Sequence, residues 1–232
     1  MFTPSWPEFV KLSQKGNLIP VYKEIIADVE TPVSAFRKIE GDYSFLLESV
    51  EGGEKIARYS FLGTCPASQV KNLRSFPEIR EILRQYKPVK LLGIPRFQGG
   101  LVGYISYDLV REIEKIPDKN PDDLKLPKMQ FLFADTVLAF DHIRHKIIII
   151  ANALVKGNPR FAYRDACSRI EELERKLKRS LPFEKEEFEI KPQPSLPGKI
   201  ISNLSQAEFK KMVVKAKEYI RAGDIIQVVL SQ

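Results

Sequence analysis

The sequence has little of what staples, anchors or exports a chain. Cys65 and Cys167 are the only two cysteines in 232 residues. They are too few and too far apart for a disulfide framework or a cysteine-rich metal site, so packed free thiols are expected. The only two histidines, His142 and His145, fall in an expected hairpin turn, where exposed polar residues belong in any case and a metal pair is the alternative. No run of about eighteen apolar residues occurs, as a membrane-spanning helix would need. The opening Met1-Phe2-Thr3-Pro4-Ser5-Trp6 lacks the basic start and apolar block of an export signal, and a soluble cytosolic protein is the expectation. The stretch Gly99-Gly100-Leu101-Val102-Gly103 has neither the Lys-Ser or Lys-Thr of a phosphate loop nor G-x-G-x-x-G spacing, and reads as close backbone packing. No nucleophile, base and orienter assemble into a catalytic set.

What is present suits a globular fold. Hydrophobic residues make up 44% of the chain, enough for a substantial core in one large domain or two small ones. The net charge of +7 raises nucleic acid as a partner, but the charges interleave, as in Glu171-Glu172-Leu173-Glu174-Arg175-Lys176. That pattern is a solvated helix face, and neither nucleic acid nor membrane is expected as a partner.

Periodicity predicts a mixed order of helices and strands. A short helix runs over 6–15, a strand over 18–26, and a second helix starts at Thr31, a good N-cap, with Pro32 in the first helical position. A strand near 67–71 and a helix over 77–86 follow. Residues 97–114 lead from glycines into an apolar segment and a helix with Leu109, Ile113 and Ile116 on one side. The apolar runs 129–140 and 146–155 flank a turn and predict a long antiparallel hairpin covered on both faces. Residues 160–179 form a helix with Phe161, Ala166, Ile170, Leu173 and Leu177 on one stripe. Leu181 to Gly198 carries four prolines and reads as a linker. Beyond it a capping box at Ser205 opens another helix, Gly223 closes it, and Asp224 to Ser231 begins an apolar strand. Because that strand lacks a partner and a following turn, the chain is expected to be truncated. The fold class expected is α+β, antiparallel sheets covered by helices. One domain would occupy 1–198, and 199–232 would begin a second.

The most informative stretch is LLESVEGGEKIARYSFLG, Leu46 to Gly63. With Gly52-Gly53 as a two-residue turn, Ser49 faces Ile56 and Leu47 faces Arg58, so all four share one face. A hydroxyl and a guanidinium on an apolar patch suit a small ligand with an apolar body and a carboxylate. The competing reading is a solvated edge in which Arg58 meets water, Glu48 or Glu54.

Four blocks in order, LLESVEGG with RYSFLG, FQGGLVGYISYDLVREIE, FADTVLAFDH and YIRAGDIIQVVLSQ, resemble anthranilate synthase component I. The resemblance covers essentially the whole chain. Its sister, aminodeoxychorismate synthase component I, shares the last block and a looser hairpin and remains an alternative, as does a non-catalytic amino-acid-binding module. The resemblance implies a lyase that aminates chorismate with ammonia and releases pyruvate, giving anthranilate for tryptophan biosynthesis. It implies Mg2+ as cofactor, with ligands outside this chain, and a glutamine amidotransferase subunit as partner. It implies feedback by tryptophan at a site that includes Leu47, Glu48 and Ser49, with Arg58 as the basic residue of the returning strand. Of the catalytic region only the segment holding Gln227 is implied here, so the chain alone is expected to be inactive.

Overall fold

The computed structural model describes residues 1–48, 58–65, 70–119, 121–180 and 202–231. The chain divides into two compact units, Met1–Pro182 and Phe183–Gln232. The expected linker and the expected boundary at 198/199 lie outside the described residues.

The first unit is built on a five-stranded antiparallel sheet. Its strands are β1 (Leu18–Ile26), β2 (Tyr43–Leu47), β3 (Tyr59–Cys65), β7 (Thr136–Asp141) and β8 (Lys146–Leu154), in the order β1-β8-β7-β3-β2. The run KIIIIANAL of β8 is rich in β-branched residues and buried at seven successive positions, so both faces are covered, as expected. On one face Ile147, Ile149, Ala151 and Ala153 meet Phe9 of α1 (Trp6–Leu12), Ala35 and Ile39 of α2 (Pro32–Ile39), and α4 (Pro159–Leu177). Thr31 caps α2, its Oγ1 accepting from the Ser34 N–H at 3.1 Å. From α4 the sheet receives Ala166, Ile170, Leu173 and Leu177, one on each successive turn. Phe161 does not join them and is 71% exposed. Five positions before Ala166 it sits about 140° round the helix from that stripe.

A second sheet has the order β4-β6-β5, from β4 (Val70–Leu73), β5 (Gly100–Ile105) and β6 (Met129–Ala134). The apolar run over 129–140 is therefore two strands rather than one arm of a long hairpin. At Asp135 the chain leaves one sheet and enters the other. Polar groups hold the switch: Asp135 O accepts from Asn152 N at 2.7 Å, and Arg169 of α4 reaches Asp135 Oδ1 at 3.1 Å and Thr136 Oγ1 at 2.7 Å. Helix α3 (Phe76–Arg84) closes the outer face, with Phe76, Ile79 and Ile82 packed on Leu73, Leu109 and Met129.

Two further expectations change. Residues Tyr107–Glu112 form a 3-10 turn rather than a long helix; Pro117 bars continuation, and only Leu109 of the expected stripe is buried. In the second unit α5 (Gln206–Ala222) has its capping box, with Ser205 N donating to Glu208 Oε2 at 2.8 Å, and ends at Gly223 with φ 83°. The residues after it are not a strand: 224–231 are irregular, with Ile226 and Val229 exposed. Backbone groups of a strand need partners, and among the described residues no strand lies beside this segment.

Candidate functional site

The tip of β2 and β3 is where the sequence placed a ligand, and its register differs from the expectation. Leu47 pairs with Phe61, not Arg58, and Leu46 pairs with Leu62. The expected register would set an apolar Leu47 against a guanidinium, whereas the observed one matches large apolar residues on both faces. Leu46 and Leu62 point to the helix-covered face, and Leu62 is fully buried. Phe45 and Phe61 point the other way, where they meet Phe97, Val102, Leu132, Ala134 and Val137. Here the two sheets share one apolar layer, in which Phe61 and Phe97 stand edge to face with centroids 5.2 Å apart. Leu47 lies at its margin, 49% exposed, and Glu48 is exposed beside it. Ser49, with Glu51, Gly52, Gly53, Glu54 and Ile56, lies outside the described residues.

Arg58 immediately precedes β3 and holds Asp141, the last residue of β7. Nε donates to Asp141 Oδ1 at 3.1 Å and Nη2 to Oδ2 at 2.6 Å, a two-bond fork. The fork follows from the register, because Tyr59 and Asp141 are cross-strand partners. The guanidinium also lies 4.9 Å from the centre of the Tyr59 ring. Burial pushes the Asp141 carboxyl up most strongly of any single cause, but the Arg58 hydrogen bond and charge and the backbone N–H groups of Arg144 and Ile143 together outweigh it, and the net shift is downward. The hydrogen bond from Arg58 to Asp141 raises the guanidinium in turn. Among the described residues, Nη1 of Arg58 makes no hydrogen bond. On the opposite face of the same strands, fully buried Ser60 meets His142 Nε2 at 2.8 Å.

The hairpin tip thus combines an apolar layer with a partly exposed guanidinium paired to a buried carboxylate. That arrangement can hold an apolar body and accept a carboxylate. Among the described residues the acidic partner of Arg58 is Asp141 rather than Glu48, and Glu54, the other acid weighed for it, lies outside them. The signal that could have found Asp141 is a single acid closing an otherwise apolar run. A separate pocket of about 260 Å3 lies at the other end of β3, between Gly63, Thr64, Thr136, Arg169, Glu172 and Lys176. Its charged lining is internally paired, Arg169 with Asp135 at 3.1 Å and Lys176 with Glu172 at 3.2 Å. Gln227 belongs to the second unit and lies in the exposed stretch after α5. Cys167 is a free thiol held up by burial. Among the described residues no three His, Cys, Asp or Glu side chains stand together as a metal site, and no helix is long and apolar enough to cross a membrane.

Antiparallel sheets covered by helices, with the hairpin tip at their junction, define an α+β module with a candidate ligand site. The family model for chorismate binding enzymes matches residues 42–232, and the chain belongs to that family. Anthranilate synthase component 1 of Acetivibrio thermocellus is 40% identical across 100% of this chain and 51% of its own length. The protein of that name from Aquifex aeolicus is 35% identical across 98% of this chain and 50% of its own length. The crystal structure of anthranilate synthase component I from Streptococcus pneumoniae TIGR4 matches with a TM-score of 0.50 and 26% identity, over 86% of this chain and 46% of that one. The chain therefore spans about half the length of these relatives.

Proposed function

We propose that this chain supplies one half of an anthranilate synthase component I, a cytoplasmic lyase that converts chorismate and ammonia to anthranilate and pyruvate. Ammonia comes from a glutamine amidotransferase partner, and tryptophan, the end product, inhibits at the hairpin tip. The observation that carries this reading is the pair of relatives named anthranilate synthase component 1, 40% and 35% identical across 100% and 98% of this chain. Support for the tryptophan site is chemical. The layer of Leu47, Phe61 and Phe97 suits an indole, and Nη1 of Arg58 suits a carboxylate. Tryptophan inhibits there by binding one arrangement of the complete enzyme better than another. Magnesium is the cofactor of that enzyme, with its ligands in the half that this chain does not span.

The test is a chimera in which this chain continues into the half of the Acetivibrio thermocellus relative that it does not match. With chorismate, ammonium and Mg2+ the chimera is expected to form fluorescent anthranilate and to be inhibited by tryptophan. Formation of aminodeoxychorismate in place of anthranilate would overturn the assignment. Anthranilate formation insensitive to tryptophan would remove the feedback site alone.

A further inference from the structure

One polar residue interrupts the face of β8 that lies away from the helices. Alternation puts Ile148, Ile150 and Asn152 on that face, where Ile148 and Ile150 pack with Phe61 and Ile94. Asn152 is only 7% exposed, and a buried amide is costly unless its groups are bonded. Its Nδ2 donates to Gln98 O at 2.5 Å and to Asp135 O at 3.2 Å. Both acceptors are carbonyls, so the donor end of the amide faces them, and an aspartate of the same shape could not replace it.

What Asn152 holds is a stretch outside any helix or strand. Residues 94–98 are irregular, yet they carry Ile94 and Phe97 onto the apolar surfaces around Phe61. Within the stretch Gln98 Nε2 donates to Pro95 O at 3.1 Å, and the bond from Asn152 ties it to the sheet. Gly99 follows at φ +136°, so close that a Cβ there would lie 2.5 Å from Asn152 Nδ2. The grip on residue 98 is one position from the Phe97 ring, which stands edge to face with Phe61 at 5.2 Å.

We propose that Asn152 is a positioning residue for the hairpin-tip site: by holding the Gln98 carbonyl it fixes the Phe97 ring against Phe61, where the apolar body of the ligand binds. This rests on the reading of that tip as a tryptophan site. Asn152 acts through Phe97 rather than on the ligand. A ring on an irregular stretch keeps one orientation only while its backbone is held, and a wall set in advance spares binding the entropy of ordering it. Trimming the amide frees the carbonyl and the ring together, and affinity falls.

The test has two parts. In the chain alone, carrying isotope-labelled phenylalanine, Asn152→Ala should move the NMR signal of the Phe97 ring, identified by its loss in Phe97→Leu. The signal of Phe9, on the helix-covered face, should stay in place. Gly99→Ala presses on the same contact from the other side and should also move the Phe97 signal, which keeps the test decisive if the Asn152 variant fails to fold. In the chimera, calorimetric titration should show tryptophan bound about tenfold more weakly by Asn152→Ala. Phe97→Leu should lose as much, and the double variant should stay within about twofold of the weaker single variant, because the two residues act in series. Asn17→Ala, which removes an exposed amide bridging Gln85 and Lys87, should change neither readout. An unmoved Phe97 signal, unchanged tryptophan affinity in Asn152→Ala, or losses that multiply in the double variant overturn the proposal. A wild-type chimera that binds no tryptophan overturns it together with the tryptophan reading, whereas a wild-type chimera that binds tryptophan no better than Asn152→Ala overturns it alone.

Discussion

Arg58 and Asp141 meet across 83 positions of sequence because β3 and β7 are neighbours. The guanidinium is partly exposed and the carboxylate almost fully buried, with 30% and 2% of their side-chain surfaces open. The pair therefore matters most for keeping an acid charged inside the fold. The folded carboxyl lies below its ordinary 3.8, so its contribution is fully present above that value and is lost as pH falls through the lower, folded value. Arg58→Gln should lower the urea midpoint at pH 7, and the gap to wild type should close as pH drops below the ordinary carboxylate range. A gap that stays constant to pH 3 would show that Asp141 is not the partner that matters. Ser49 is a separate case, resting on the resemblance of LLES alone. In the catalytically active chimera, Ser49→Ala should raise the tryptophan concentration for half inhibition about tenfold while uninhibited turnover stays within about twofold, roughly the loss of one buried hydrogen bond. Unchanged inhibition would separate Ser49 from the site.

At the scale of elements, packing separates what periodicity announces from what it hides. β1 and α5 lie close to where alternation, caps and Gly223 put them, because those signals are local. The break at Asp135 is hidden because its cause lies in Asn152 and Arg169, on elements later in the chain. A continuous apolar run cannot reveal that it changes sheets when both halves are buried. The hairpin register was missed for a related reason: the Gly-Gly pair suggested a tight turn, while the pairing of Leu46 with Leu62 and Leu47 with Phe61 decides the alignment. Arg58 was legible as a charge out of place, but Asp141, Phe61 and Phe97 required the fold. Gly99 tests the hidden corner. Its φ is +136°, and a Cβ would lie 2.5 Å from Asn152 Nδ2 and 2.6 Å from Ala134 O. Gly99→Ala should cost roughly 1–3 kcal/mol, more than its small size suggests. Ile149→Ala in the centre of β8 should cost about 2–5 kcal/mol. Urea titration compares the two, and a neutral Gly99→Ala would mean that the sheet corner relaxes freely.

For the molecule as a whole, the balance between built and open surfaces decides what this chain can do alone. Met1–Pro182 has a closed core between β8 and its helices, which folding to a stable unit requires. Its chemistry is less complete. The described residues bring together no group of three metal-ligating side chains, and on the function proposed above the hairpin tip would supply one wall of the tryptophan site. Rate acceleration by preorganised charge needs donors and ions fixed around the reacting atoms, and a single wall fixes neither. The purified chain with chorismate, ammonium and Mg2+ should therefore form no fluorescent anthranilate above a no-protein control. It should bind tryptophan more weakly than about 1 mM in a calorimetric titration, since one wall makes only part of the contacts. The chimera should do both under the same conditions. Turnover by the chain alone would place the catalytic groups within these residues and overturn the division of labour between the halves. Tight tryptophan binding without turnover would instead make the hairpin a complete site, and the chain an independent sensor.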